Sequence, residues 1–346
     1  MATPGGGSAW ADSRRSRPPA PSASRFGPRA ASARLSGPNG TRTIAPPPPR
    51  AAIVGIAATA LTDDERRLFA ALPPAGVILF ARNIADPAQL TRLIAQIRAA
   101  VPGVLLMVDQ EGGRVARLRP PHWPARPPAS MLATEQAARA GGEAIGHDAA
   151  AAGFDVVAAP VLDRALPGAS TVVGDRAFPG DARDVARLGR AFAAGLMAAG
   201  VIPVGKHVPG HGRARVDSHE SLPVVDGVDP DDLLPFAANA DLPWMMTAHV
   251  LFTAWDRTRP ATLSPVILRE VVRGRIGFGG VLVSDDLAMG ALSGAPADLA
   301  LACLEAGCDL ALWCPGDAAT ADVLRAVPPL TPEDAARIGR GGGTGR

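Results

Sequence analysis

The chain has 346 residues, which suits one large α/β domain or two small ones, and its 35 Lys plus Arg nearly balance 33 Asp plus Glu for a net charge of +2. That balance gives no sign of a nucleic-acid surface, and no apolar run reaches the ~18–20 residues that span a bilayer. Cys303, Cys308 and Cys314 match no CxxC zinc spacing and read as small buried hydrophobes of a reducing, cytoplasmic compartment.

Residues 1–50 are dominated by Pro, Ser, Ala, Gly and Arg, with Asp12 as their one acidic residue. Such a stretch buries too little apolar surface to offset its ordering entropy, so a disordered tail is predicted. It lacks the apolar segment of a secretory signal. Its Arg- and Ser-rich make-up superficially matches an organellar transit peptide, but a disordered tail or a mis-assigned start codon is preferred.

From residue 51 onward, short apolar runs alternate with segments of helical spacing. Strands are predicted at 51–57, 76–80, 104–108, 154–159, 201–205, 244–248, 280–283 and 309–312, with helices such as 87–100, 135–152, 181–199 and 264–275. The strands are near-continuously apolar, as buried parallel strands are. Eight β-then-α units predict a single (β/α)8 TIM-type barrel over 51–330, followed by a flexible C-terminal tail at 331–346. The rival, a doubly wound open sheet, wants a Gly-rich phosphate loop after its first strand. Here the first strand runs instead into Thr62-Asp63-Asp64-Glu65, a helix start.

Polar residues cluster where such a barrel places its chemistry. Asp109 follows the third strand, Asp163 the fourth and Lys206-His207 the fifth; His249 ends the sixth and Ser284-Asp285-Asp286 the seventh. These strand ends converge on one face of a barrel.

The most informative of them is Lys206. It is the single lysine among 34 arginines, in a composition that otherwise favours Arg for Lys. A lone lysine points to work that a planar guanidinium cannot do, such as presenting a compact ammonium with three donors. It opens the run Lys206-His207-Val208-Pro209-Gly210-His211-Gly212, which continues to Asp217-Ser218-His219 and holds three of the six histidines. The Pro-Gly pair predicts a loop over 208–220, where Asp217 can orient the His219 imidazole in a general acid–base pair. A metal site built from His207, His211 and His219 competes, though its spacing fits neither an HExxH helix nor a zinc ribbon. Asp109-Gln110-Glu111-Gly112-Gly113-Arg114 through Arg117 offers a carboxylate and arginines to a hydroxyl-rich ligand. Arg176, alone in a loop, reads as a surface charge on residue type. Of Asp285 and Asp286, one is expected to face the pocket as a candidate nucleophile while the other caps the next turn.

Together these motifs resemble glycoside hydrolase family 3, in particular its single-domain bacterial β-N-acetylhexosaminidases. The resemblance rests on 109–117, Arg176, the Lys206–Gly212 run, Asp217-Ser218-His219 and Ser284-Asp285-Asp286-Leu287, and Val208 departs from it where Phe is common. It implies Asp285 as nucleophile, His219 as acid–base residue and Asp217 as its partner. It also implies that Asp109, Arg117, Arg176, Lys206 and His207 hold a terminal N-acetylglucosamine. The implied reaction is retaining hydrolysis without metal or organic cofactor, by a cytoplasmic monomer. Its expected substrate is a small sugar, a GlcNAc-glycoside or the muropeptide GlcNAc-1,6-anhydroMurNAc of peptidoglycan recycling, with no nucleic-acid or membrane partner. The alternatives are a phosphorylase or β-glucosidase of the same family, a Schiff-base aldolase using Lys206, and a non-catalytic sugar-binding protein.

Overall fold

The computed structural model describes residues 47–339. The disorder predicted for 1–50 therefore lies outside the described residues up to 46. At the other end of that stretch Arg50 already belongs to the first strand, its backbone pairing with Pro74 and its N–H donating to the Pro73 carbonyl, while its guanidinium donates to the Val327 carbonyl.

Ten strands run in chain order: β1 (Arg50–Gly55), β2 (Pro74–Leu79), β3 (Leu105–Val108), β4 (Val156–Val157), β5 (Ile202–Val208), β6 (Val224–Val225), β7 (Trp244–Thr247), β8 (Leu251–Phe252), β9 (Val281–Asp286) and β10 (Leu310–Trp313). Eight of them close a parallel barrel in the order β1-β2-β3-β4-β5-β7-β9-β10, with β10 returning to β1; β6 and β8 form a separate parallel pair. Each barrel strand leads to a helix. These are α1 (Asp63–Ala71), α2 (Pro87–Ala100), α3 (Glu135–Ala152), α4 (Ala182–Ala198), α5 (Pro230–Ala237), a π-wound helix Ile267–Arg275, α6 (Pro296–Ala306) and α7 (Ala319–Ala326). The (β/α)8 barrel expected from the sequence is the observed fold.

Local sequence sets the helix starts. Thr62 and Glu65 form a reciprocal capping box on α1, while Asp86, Thr134 and Asp181 cap α2, α3 and α4 with side-chain oxygens. Side chains alternate along each strand, so each strand serves two cores. Ile53, Ile78, Met107, Val204, Trp244 and Val283 pack inside the barrel. Val54, Val77, Leu106, Val157 and Leu282 pack outward under the helices.

The tail predicted at 331–346 is in part wrong. Residues Pro332–Gly339 form α8, whose Ile338 is buried with Leu330 at the foot of the inner core. Arg337 Nη2 donates to Asp309 Oδ1 at 2.7 Å, fastening α8 to the start of β10. The tail composition hid one amphipathic turn pair that the barrel base can bury.

α3 and α4 meet backbone to backbone through glycine. A Cβ on Gly195 would lie 2.1 Å from the Arg139 carbonyl oxygen, whereas one on Gly141 meets only the end of the Leu132 side chain at 3.0 Å. Gly195→Ala is expected to destabilise the protein by about 3 kcal/mol, and Gly141→Ala by under about 1 kcal/mol, in urea denaturation. Equal losses would mean that the helix contact is not set by that glycine.

Candidate active site

The carboxyl ends of the barrel strands open on a cavity of about 380 Å³, at the small end of the ~300–1,000 Å³ typical of ligand pockets. Two pairing shifts shape it. The β5–β7 register slips between Lys206 and Val208, and the β10–β9 register between Leu310 and Leu312. A regular strand turns consecutive side chains to opposite faces. With these slips, the neighbours Lys206 and His207 both line the cavity, as do Asp285 and Asp286. β5 and β9 thus carry into the cavity mouth residues that the sequence placed just beyond their strands.

One wall is a chain of alternating charge. Arg117 Nη2 donates to Asp109 Oδ2 at 3.1 Å, and Lys206 Nζ donates to Asp109 Oδ1 at 3.0 Å. The same ammonium lies 2.6 Å from Glu111 Oε1, and Arg176 closes the chain with paired bonds of 2.8 and 2.9 Å to Glu111. Burial disfavours the charges of Asp109, Glu111, Lys206 and Arg176, yet the neighbours win. Lys206 and Arg176 hold the Glu111 carboxyl at about 2. Asp109 stays below its usual range and Lys206 above its own, for the same reason. Arg176, expected on residue type to be a surface charge, instead has a side chain only 10% exposed and ends this chain of charge. Its loop is held by Arg114, which bonds Asp175 at 2.7 Å and the carbonyls of Thr171 and Val172. A lysine kept protonated between two carboxylates is not the neutral amine that a Schiff base needs.

A second layer aims the histidines. Asp163, fully buried on β4's exit, accepts from the His207 backbone N–H at 3.1 Å, contacts its Nδ1 at 2.6 Å, and accepts from the His211 N–H at 2.6 Å. An ionised Asp163 makes Nδ1 the donor and leaves Nε2 of His207 for the cavity. His249 does not line the cavity. It is buried between Thr262 Oγ1 and the Asp286 carbonyl at 2.7 and 2.9 Å, bracing the end of β9.

Asp285 and Asp286 divide their work. Asp286 accepts from Ala288 N and Cys314 N at 3.0 and 3.1 Å, capping the turn after β9, and burial pushes its carboxyl upward. Burial pushes on Asp285 too, but His207, His249, the Asp286 N–H and Lys206 outweigh it and hold its carboxyl below the usual range. Asp285 is therefore ionised at neutral pH. Opposite stands the 209–223 loop, where the His219 N–H and Nδ1 both meet Asp217 Oδ1, at 2.9 and 2.7 Å. The loop leans on the turn after β9, with Gly290 N donating to the His219 carbonyl and Ala291 N to that of Ser218.

All eight residues singled out in the sequence line this one cavity: Asp109, Arg117, Arg176, Lys206, His207, Asp217, His219 and Asp285. The sequence placed Asp163 at the end of the fourth strand and quoted Glu111 beside Asp109, without giving either a role. Glu111 sits two residues from Asp109, the same side of an extended segment, and that spacing was the available signal. Asp163 was marked by its strand-end position alone, and its role could not be read there because it depends on β5 folding beside β4. His207, His211 and His219 each have a separate partner in Asp163, Ser218 and Asp217. Among the described residues no helix is long and apolar enough to cross a membrane.

Comparison with known proteins places this geometry. Residues 52–333 match the glycosyl hydrolase family 3 N terminal domain. The chain is 42% identical over 281 residues to a β-hexosaminidase of Methylococcus capsulatus, covering 77% of this chain and 83% of that one. It is 41% identical over 303 residues to a β-hexosaminidase of Pseudomonas aeruginosa, covering 85% and 91%. NagZ from Neisseria gonorrhoeae, solved in complex with N-trifluoroacetyl-D-glucosamine, superposes with a TM-score of 0.78 at 34% identity, covering 86% of this chain and 91% of that one.

His211 sets a pH signature. Burial first, and His207 second, depress its imidazole from 6.5 to about 4, against Asp163 and Asp285. Between those values the unfolded chain binds the proton that the folded one refuses, so stability is lost as pH falls across that window and is unaffected by this group above it. Wild type is expected to lose about 2 kcal/mol more than His211→Gln between pH 7 and pH 5 in urea denaturation. Parallel pH slopes would show that His211 titrates normally.

Proposed function

This chain belongs to glycosyl hydrolase family 3 as a glycoside hydrolase of the β-N-acetylhexosaminidase kind, and on that premise we propose that it is a retaining exo-β-N-acetylglucosaminidase acting through a glycosyl ester on Asp285. The observation that carries this reading is the pairing of an ionised strand-end carboxylate, Asp285, with the Asp217–His219 pair on a loop lining the same cavity. A carboxylate kept ionised inside a barrel mouth suits attack on an anomeric carbon.

In the first step Asp285 Oδ attacks the anomeric carbon while His219 gives its proton to the departing glycosidic oxygen. In the second, His219 takes a proton from water, which cleaves the ester and restores the carboxylate with net retention of the β configuration. Asp217 holds the imidazole by Nδ1, which leaves Nε2 for the transferred proton. Asp109 accepts from sugar hydroxyls, Arg117, Lys206 and Arg176 donate to sugar oxygens, and His207 Nε2, its ring proton held on Nδ1 by Asp163, accepts from a sugar hydroxyl. A small cavity walled by this charge chain favours one terminal sugar, in keeping with exo action.

The finer substrate is GlcNAc-1,6-anhydroMurNAc, with or without peptide, in cytoplasmic peptidoglycan recycling. Its support is the similarity to β-hexosaminidases and to NagZ.

Release of nitrophenol from 4-nitrophenyl N-acetyl-β-D-glucosaminide tests the reading. Wild type should turn over without added phosphate, and Asp285→Ala should lose at least about 10³-fold in kcat while remaining folded. No turnover by folded wild type, or turnover only with phosphate, would contradict hydrolysis.

A further inference from the structure

One buried titratable side chain in the cavity wall has no part in that mechanism. His211 is 3% exposed and belongs to the Pro-Gly-His-Gly turn that opens the 209–223 loop. Its backbone N–H is fixed by Asp163, its ring stands edge-on to His207 at 5.9 Å, and its Nε2 lies 3.0 Å from Ser218 Oγ. Among the described residues its Nδ1 has no hydrogen-bond partner. A bare ring acceptor is more readily tolerated in an interior than a bare N–H, so the proton belongs on Nε2, donating to Ser218.

Ser218 is the residue between Asp217 and His219. It is 2% exposed, whereas the His219 side chain is 63% exposed. The acid–base pair is thus carried at the rim by one inward-facing residue, and His211 is what that residue's hydroxyl holds. Among the described residues, the other hydrogen bonds from residues 217–219 to the barrel are the backbone bonds from Gly290 and Ala291, while the loop's earlier part is held by Ser170 N on the Ala214 carbonyl and by Arg213 on Asp229 and Asp232.

We propose that His211 is a positioning residue for the acid–base pair: it pins Ser218, and through Ser218 it sets where His219 stands relative to Asp285. The pin ends on Asp163, the carboxylate that also aims His207, so the sugar-binding ring and the acid–base segment share one buried anchor. This rests on the reading of His219 as acid–base residue. A displacement of about 1 Å at a reacting group costs up to about 10²-fold in rate, which sets the scale for losing the pin.

The test compares kcat/KM for 4-nitrophenyl and 2,4-dinitrophenyl N-acetyl-β-D-glucosaminides, the second having a leaving group that needs no proton. Wild type, His211→Phe, His211→Gln, Ser218→Ala, His219→Ala and the double variant His211→Phe/His219→Ala are measured, each checked for folding by circular dichroism. His211→Phe and Ser218→Ala should each lose about 10- to 100-fold with the nitrophenyl substrate and much less with the dinitrophenyl one. His211→Gln, whose amide can replace Nε2, should recover most of the loss. In the His219→Ala background, His211→Phe should add less than about 2-fold. Equal losses with both leaving groups, or full multiplication of the two effects in the double variant, would overturn the proposal while leaving His219 in its role. If His219→Ala itself is indifferent to the leaving group, the acid–base reading falls and the proposal falls with it.

Discussion

The site depends on the burial of Lys206 between Asp109 and Glu111. Three cations and two carboxylates alternate along Arg117, Asp109, Lys206, Glu111 and Arg176, and each would be costly to bury alone. The chain is stable only as a whole, so it ties β3, the Arg176 loop and β5 into one rigid wall. It also explains why one lysine persists among 34 arginines. A guanidinium would present a planar fork where two carboxylates from different directions converge on a point charge.

From that wall the other parts follow. Asp163 repeats the logic on a smaller scale, one buried carboxylate holding both His207 and His211. The β9 end is supported from behind by His249, Thr247 and Thr262, and the Asp285 carboxylate lines the cavity with no ion pair among the described residues as close as those of Asp109. In the proposed mechanism the rigid elements bind and attack, while the group that must both give and take a proton sits on a loop. That division suits a two-step displacement, where the acid–base residue serves a departing oxygen and then a water.

Much of this was legible in the sequence because parallel barrel strands are apolar on both faces and their polar residues concentrate at one end. The eight runs at 51–57 through 309–312 each mark an observed strand, even β4, which keeps only Val156 and Val157. Asp109, Lys206, His207 and Asp285 stood out because motif and strand-end position agreed on them, whereas Arg117, Asp217 and His219 rested on their motifs and Arg176 on the family resemblance alone. What escaped depended on tertiary pairing. Glu111 and Asp163 matter through partners 65 and 44 residues away. The slips in the β5 and β9 ladders, which put neighbouring side chains on one side, leave no mark in local propensity. The helix at 332–339 was hidden in a tail whose composition suggested none, since its one buried anchor, Ile338, finds its core only at the barrel base.

The central claim is that Asp285 forms a covalent bond to the sugar. Mass spectrometry of the enzyme quenched after reaction with a fluorinated N-acetylglucosaminyl donor, whose ester hydrolyses slowly, tests it directly. The account predicts one sugar per chain, on the peptide containing Asp285, and fragment ions that place it on Asp285 itself. A sugar on Asp286 or Asp109, or none on an enzyme that releases the leaving group, would contradict it.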